Sequence, residues 1–193
     1  MTKPYCIIIT GRPGSGKATL SKKLAEKLHL PVVSRDEIKE GFVVSTDSTH
    51  LDLPDDTNWK ATEAFFKTTM LLLESNVSVV VEAAFQHKVW SIAIPDWIEL
   101  SRTRIVICEP ESDLCAKRHL ERGLADSSRE RFHGDARVRH YRETGEVLGP
   151  SEYASPSFDC PTLKVDTEYS YDPNIKEIID WLNIEKPNNK GCI

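Results

Sequence analysis

Thr10 to Thr19 reads TGRPGSGKAT, and these residues decide how the chain folds. From Gly11 through Gly16 to Lys17 they hold the spacing G-x-x-x-x-G-K of a phosphate-binding loop. The setting fits. Tyr5-Cys6-Ile7-Ile8-Ile9 before the loop is a compact apolar run that predicts a buried strand. After it Leu20, Leu24 and Leu28 recur at helical spacing, with Lys and Glu between them, so the loop opens directly into a helix ending near His29. A loop wrapped around phosphates must turn consecutive N–H groups onto the anion, and Gly11, Gly14 and Gly16 give the backbone that freedom. The positive end of the helix and the Lys17 ammonium complete the cradle, which comprises Gly11, Arg12, Pro13, Gly14, Ser15, Gly16, Lys17, Ala18 and Thr19. At Ala18, where a Ser or Thr hydroxyl usually reaches Mg²⁺, there is no oxygen to offer. The backbone cradle and Lys17 are untouched by that change, and Mg²⁺ readily keeps water ligands.

The rest of the chain repeats the alternation of short apolar and longer amphipathic runs, which predicts a three-layer α/β/α architecture on a five-stranded parallel sheet. Further strands are expected at Pro31–Val33, Val77–Val81, Arg104–Cys108 and Thr162–Val165. Helices are expected over Asp36 to Val43, Thr57 to Ser75 and Pro173 to Leu182, with a loop from Ser45 to Asp56. Pro95 predicts a break in the helix of Gln86–Ser101, and Ser112 is the expected cap of a helix running to Gly123. Arginines then crowd the segment from Arg118 to Arg142, which holds too few apolar residues to supply much core.

With 193 residues, 39% of them hydrophobic, the chain is sized for one domain. The formal net charge of −5 gives no general attraction to a polyphosphate backbone, so nucleic acid is a possible partner but not the favoured one. Cys6, Cys108, Cys115, Cys160 and Cys192 form no C-x-x-C pair, which reads as reduced thiols of a cytoplasmic protein. No apolar run is long enough for a membrane span, and no secretory signal is expected. Oligomeric state is not legible.

GRPGSGKAT resembles the loop of adenylate kinases and related nucleoside monophosphate kinases, G-x-P-G-S-G-K-G-T, with Gly at the place of Ala18 and Thr at that of Thr19. Ser34-Arg35-Asp36-Glu37-Ile38-Lys39, set just after the second strand, resembles the R-D motif of P-loop kinases that include polynucleotide 5′-hydroxyl kinase, gluconate kinase-like and zeta-toxin-like enzymes. RHLERG, from Arg118 to Gly123, is similar to the start of their lid. The resemblance implies a P-loop NTPase fold with an arginine-rich helical lid at about 123–146, while length and composition predict a single domain over residues 1–185 and a disordered tail over 186–193. It also implies ATP and Mg²⁺ as cofactors, with Asp36 activating an acceptor hydroxyl and Lys39 assisting at the acceptor.

The chemistry agrees with that carry-over. A carboxylate at the carboxyl end of a strand beside the phosphate loop can orient a hydroxyl and accept its proton; the plainer reading of Asp36 is a helix cap. Glu82, ending the apolar run at Val81, is a candidate to hold substrate or, through water, Mg²⁺, with Thr19 a subsidiary metal donor. Arg118, Arg122 and Arg129, with Lys17, are candidates to neutralise charge on a transferring phosphoryl group. Glu121, Asp126, Glu130 and Asp135 interrupt the arginines and are candidate partners for them. Trp59, Trp90, Trp97 and Trp181 read as core or groove-wall aromatics, and His87, His119, His133 and His140 as structural. The expected activity is transfer of the ATP γ-phosphate to a hydroxyl of a small molecule. The alternatives are a polynucleotide 5′-hydroxyl kinase and a nucleotide-binding regulator without catalysis, the latter motivated by Ala18.

Overall fold

The computed structural model describes residues 2–184. The tail expected at 186–193, with Cys192, lies outside them. The first apolar run forms β1, Tyr5–Gly11, and after the glycine loop comes α1, Lys17–Leu28. His29 ends α1 in the left-handed region. Then follow β2 (Val32–Ser34), α2 (Arg35–Thr46), a short 3-10 turn (His50–Asp52), α3 (Thr57–Glu74) and β3 (Val79–Glu82). The second half of the chain comprises α4 (His87–Trp90), α5 (Ile94–Leu100), β4 (Arg102–Cys108), α6 (Ser112–Ala125), α7 (Ser128–His133), α8 (Ala136–Thr144), β5 (Thr162–Val165) and α9 (Ile175–Leu182).

The five strands are all parallel, in the order β2-β3-β1-β4-β5. This is the P-loop NTPase arrangement expected from the sequence. Because the sheet is covered on both faces, alternate residues of β1 serve two cores. Cys6 and Ile8 join Phe65, Trp90 and Trp97 on the side of α3 and α5. Ile7 and Ile9 join Leu20, Leu24, Ile178 and Leu182 on the side of α1 and α9. An uninterrupted apolar run is what such a strand requires.

Several expectations shift locally. Helix α2 begins one residue earlier than expected and runs on to Thr46. The break near Pro95 falls before the proline, at residues 91–93, with Pro95 in the first turn of α5, where its missing N–H has no intrahelical partner to lose. Ser112 is the first residue of α6 rather than its cap; Glu111 occupies the cap position without a side-chain bond. Trp90 and Trp97 are core, Trp181 is half-buried, and Trp59 departs from the expectation at 53% exposed on the outer face of α3. Cys6, Cys108, Cys115 and Cys160 are free thiols. Among the described residues no helix is long and apolar enough to cross a membrane.

Candidate active site

Strands β1, β2 and β3 end at the same edge of the sheet, and each delivers part of one site there. In register, Ile9 lies beside Glu82 and Ser34 lies beside Glu82 on its other flank. The loop leaving β1 folds back at Gly14, where φ is +87° and a Cβ would lie 2.1 Å from the Cys115 carbonyl oxygen. Only glycine fits so close to the backbone of α6. Among the described residues the N–H groups of Gly14, Gly16, Lys17 and Ala18 find no acceptor, so they remain free at the positive end of α1. Ser15 is fixed from behind, its carbonyl accepting from Thr167 Oγ1 at 2.7 Å. Arg12 points away from the cradle, donating to the Ser151 carbonyl and lying 5.5 Å over the ring of Tyr153. Pro13 and Thr19 are exposed, and the Ala18 methyl is half-buried.

Lys17 and Glu82 form a buried ion pair, Nζ to Oε1 at 3.2 Å, with the residues 7% and 2% exposed. Ser34 Oγ donates to the other carboxylate oxygen at 2.9 Å, while Oε1 itself has no hydrogen-bond partner. A carboxylate buried this fully is tolerable only next to a cation, and arriving phosphates would compete for that cation. Lys17 can therefore pass from Glu82 to an anion without moving far. Once Lys17 leaves Oε1, Glu82 also fits a water-mediated role towards Mg²⁺; Ala18 supplies no oxygen.

Asp36 is exposed in the first turn of α2, beside the cradle. Although its surface is open to water, crowding by the surrounding chain works to raise its carboxyl pKa, but the charges of Lys17 and Arg35 outweigh that and hold the group below the ordinary carboxylate range. Arg35 Nη1 lies 3.4 Å from Asp36 Oδ1, and its Nη2 binds Asn58 at the carbonyl (3.0 Å) and at Oδ1 (3.1 Å), tying α2 to the start of α3. One turn on, Lys39 is 6% exposed and makes no ion pair or hydrogen bond among the described residues.

The arginine segment folds as the end of α6 plus α7 and α8. Its acids are engaged elsewhere: Glu130 with Arg142 at 2.6 Å, Asp126 with Ser128, Glu121 with Lys117 at 3.9 Å, and Asp135 with His119 at 3.1 Å. Arg122 and Arg129 consequently have no carboxylate partner among the described residues. Burial first and Arg129 second draw the Arg122 guanidinium below its ordinary value, while Asp36, Asp135 and Glu82 act the other way, so it lies within electrostatic reach of both site carboxylates. Arg118 differs. It donates to the carbonyls of Thr167 (2.9 Å) and Glu168, which clamps it to the loop after β5. The expected pair on one helical face is thus split between an anchored arginine and an unpaired one.

Three neighbours of the site escaped the sequence reading. Thr10 Oγ1 donates to the Ala83 carbonyl (2.9 Å), accepts from Trp90 Nε1 (3.1 Å) and lies 3.1 Å from the Tyr153 hydroxyl, so a core tryptophan braces the start of the loop. His133 Nε2 meets Glu40 Oε1 at 3.0 Å, bringing α7 onto α2; burial, then Arg129, pushes its pKa down to about 4, so the contact is that of a neutral ring. His50 packs against Gly134 and faces Lys39. None carries a motif; each is recognisable only by what the fold sets beside it.

Sheet order, glycine cradle and buried lysine together define a P-loop kinase-superfamily protein. A family model described as "AAA domain" matches residues 6–144, and the chain belongs to that family. Among solved structures, a protein described as a "putative kinase" from Chloroflexus aurantiacus J-10-fl is 25% identical at a TM-score of 0.76, over 94% of this chain and 97% of that one. The Mycobacterium tuberculosis APS kinase in complex with AMPPNP and APS is 20% identical with a TM-score of 0.65, over 95% and 100%. A gluconokinase from Sinorhizobium meliloti 1021 is 18% identical with a TM-score of 0.56, over 94% and 93%. No curated protein matches the sequence.

Proposed function

We propose that the protein is an ATP-dependent phosphotransferase that moves the γ-phosphate of ATP to a hydroxyl of a small-molecule acceptor. The observation that carries this reading is the ionised Asp36 beside the phosphate cradle, within the field of Lys17 and on the element that also bears Lys39. In this reading the open amides of Gly14, Gly16, Lys17 and Ala18 hold the β- and γ-phosphates, and Lys17 leaves Glu82 to neutralise them. Asp36 accepts a hydrogen bond from the acceptor hydroxyl and aims its oxygen at the γ-phosphorus. The new O–P bond forms as the bond to the β-phosphate bridging oxygen breaks, ADP departs, and the hydroxyl proton passes to Asp36. A carboxylate held below its usual pKa is a weak base, so Asp36 acts chiefly by orientation, which suits a loose transition state with late proton transfer. Arg122 and Arg129 neutralise the equatorial oxygens, and Arg118 holds the loop after β5 against α6. Mg²⁺, when bound, supplies further neutralisation of the phosphates, with Glu82 the residue to hold it through water. The family's fold and the kinase neighbours support this reading.

The test is γ-phosphate turnover with Mg²⁺ across sugars, nucleosides, nucleoside monophosphates, aminoglycosides and 5′-hydroxyl oligonucleotides. Acceptor-stimulated turnover that disappears in Lys17→Ala is the expected result. Nucleotide binding with no acceptor dependence would instead mark a nucleotide-binding regulator. Stimulation by oligonucleotides alone would mark a polynucleotide kinase.

A further inference from the structure

A cavity of about 220 Å³ lies beside Asp36, between α2, the 3-10 turn and the first turn of α3, lined by Lys39, His50, Leu51, Asp55, Thr57 and Asn58 among others. Its lining ammonium is unspent. Lys39, three residues after Asp36 and so on the neighbouring face of α2, is buried without an anionic partner. His50 Nδ1 and the Nε atoms of Arg35 and Arg139 are buried and unpartnered. Burial lowers the His50 pKa first, with Lys39, Arg139 and Arg35 adding to it in that order, so all three cations bear on this ring. Arg35 occupies Asn58 Oδ1, which leaves the Asn58 amide nitrogen as a donor, and the N-terminal end of the 18-residue α3 forms one wall. Of the acids nearby, Asp36 is the candidate hydroxyl-orienting group, and Asp55 is exposed on the lining. A second, larger cleft of about 370 Å³ beside Arg12 and α6 shows the contrast. There His119 Nε2 lies 3.1 Å from the buried Asp135 Oδ2, and Arg137 donates to the carbonyls of Leu148 and Gly149, so the basic groups already have partners.

A buried ammonium with no counter-ion is costly unless an anion arrives. We propose that this cavity receives an anionic group, a phosphate, sulfate or carboxylate, carried by the same acceptor whose hydroxyl Asp36 orients. The inference rests on the phosphotransferase reading for the word acceptor, while the anion site itself stands on the cavity. Lys39 and His50 hold the anion, and Arg35 and Arg139 set the potential around it. Such an acceptor is gripped at two points, the anion in the cavity and the hydroxyl at Asp36, which fixes the attacking oxygen.

The experiment has two arms. In the first, acceptor-stimulated ATP turnover is compared within matched pairs: glycerol against glycerol 3-phosphate and glycerate, sugars against their phosphates, and nucleosides against their 5′-monophosphates. In the second, AMPPNP-loaded protein is titrated with inorganic phosphate or sulfate against chloride at equal ionic strength, following the Lys39 and His50 NMR signals in wild type and the His50 signal in Lys39→Met. The expected result is at least a hundredfold preference in kcat/KM for the anionic member of a pair, collapsing tenfold or more in Lys39→Met. A saturable shift of both signals in wild type, with no His50 shift in that variant, is expected alongside it. Equal or better use of the neutral members would overturn the inference and leave the phosphotransferase reading intact. If no acceptor stimulates turnover, that reading falls and the second arm decides: a saturable shift upholds the anion site, and a response no different from chloride sinks it.

Discussion

Replacing Asp36 with Asn keeps the side chain's size while removing its charge, at a position exposed enough that folding has little stake in it. If Asp36 orients the acceptor, kcat falls by roughly 10² to 10⁴, the usual range for a positioned proton acceptor. ATP affinity is held or raised, because a carboxylate has gone from beside the phosphates. Steady-state kinetics with a separate nucleotide titration separates the two effects, and an unchanged kcat would leave Asp36 as a first-turn acid at the positive end of α2, whose cap position Ser34 holds. Lys39 makes the opposite kind of prediction. Burial, helped by Arg35 and resisted by Asp36, lowers its pKa from 10.5 to about 8. Below about pH 8 both folded and unfolded chains carry the proton, so the whole penalty is present, on the order of 3 kcal/mol. Between about pH 8 and 10.5 the unfolded chain binds more protons than the folded one, so stability climbs with pH there. Lys39→Met should therefore raise the stability measured by urea unfolding at pH 7 and flatten that rise. A destabilised variant would mean the ammonium has a partner after all. The sequence made Lys39 legible as a basic residue near the acceptor; its burial without a partner was not, since nothing local separates a buried lysine from a solvated one.

Glycine substitutions in the loop test how far an element's shape depends on its neighbours. Gly14 and Gly16 both have positive φ, +87° and +83°, so alanine is strained at either. At Gly14 the new methyl also meets the backbone of α6, whereas at Gly16 nothing lies nearer than 3.8 Å. Gly14→Ala should cost about 2 kcal/mol or more, and Gly16→Ala about 1 kcal/mol, as strain without a clash. Denaturant unfolding of the two variants checks the order, and equal costs would show that α6 yields to the loop. The elements themselves were read well wherever one period ruled: β1, α1, α3 and β5 fall within about two residues of expectation. The break expected near Pro95 is present, displaced to residues 91–93 because the proline itself stands in the first turn of α5, where a helix tolerates it. Ser112 was read as a cap because capping residues and first-turn residues look alike in sequence. Trp59 was read as a core or groove-wall aromatic on residue type, while the face of α3 that carries it turns outward.

At the scale of the whole molecule, the question is how the arginine-rich segment meets the nucleotide. The sequence showed the arginines and offered the interrupting acids as their partners, but not that, among the described residues, Glu130 would take Arg142 while the others bind Ser128, Lys117 and His119, which is what leaves Arg122 and Arg129 without carboxylates. Helix α7 touches the rest of the protein through few bonds. Among the described residues these include Arg131 to Asp47 at 3.2 Å and to the Ser48 carbonyl at 3.4 Å, together with His133 to Glu40 at 3.0 Å. The Arg131 pair is exposed, and such pairs contribute about 1 kcal/mol or less. A segment held so lightly, bearing unpaired guanidinium groups near Lys17, Glu82 and Asp36, has more to gain from bound phosphates than any other part of the fold. Hydrogen exchange should therefore show fast exchange across Ser128–His133 in the free protein and slowing there when AMPPNP and Mg²⁺ are added. The amides of β1 and β4, already buried in the middle of the sheet, should not respond. Arg122→Ala combined with Arg129→Ala should abolish the slowing in α7 while leaving nucleotide-induced protection of the α1 N-terminus, because the two rest on different groups. Protection of α1 without any change in α7, in wild type, would mean the segment is a fixed wall of the site and that its arginines act, if at all, from where they stand.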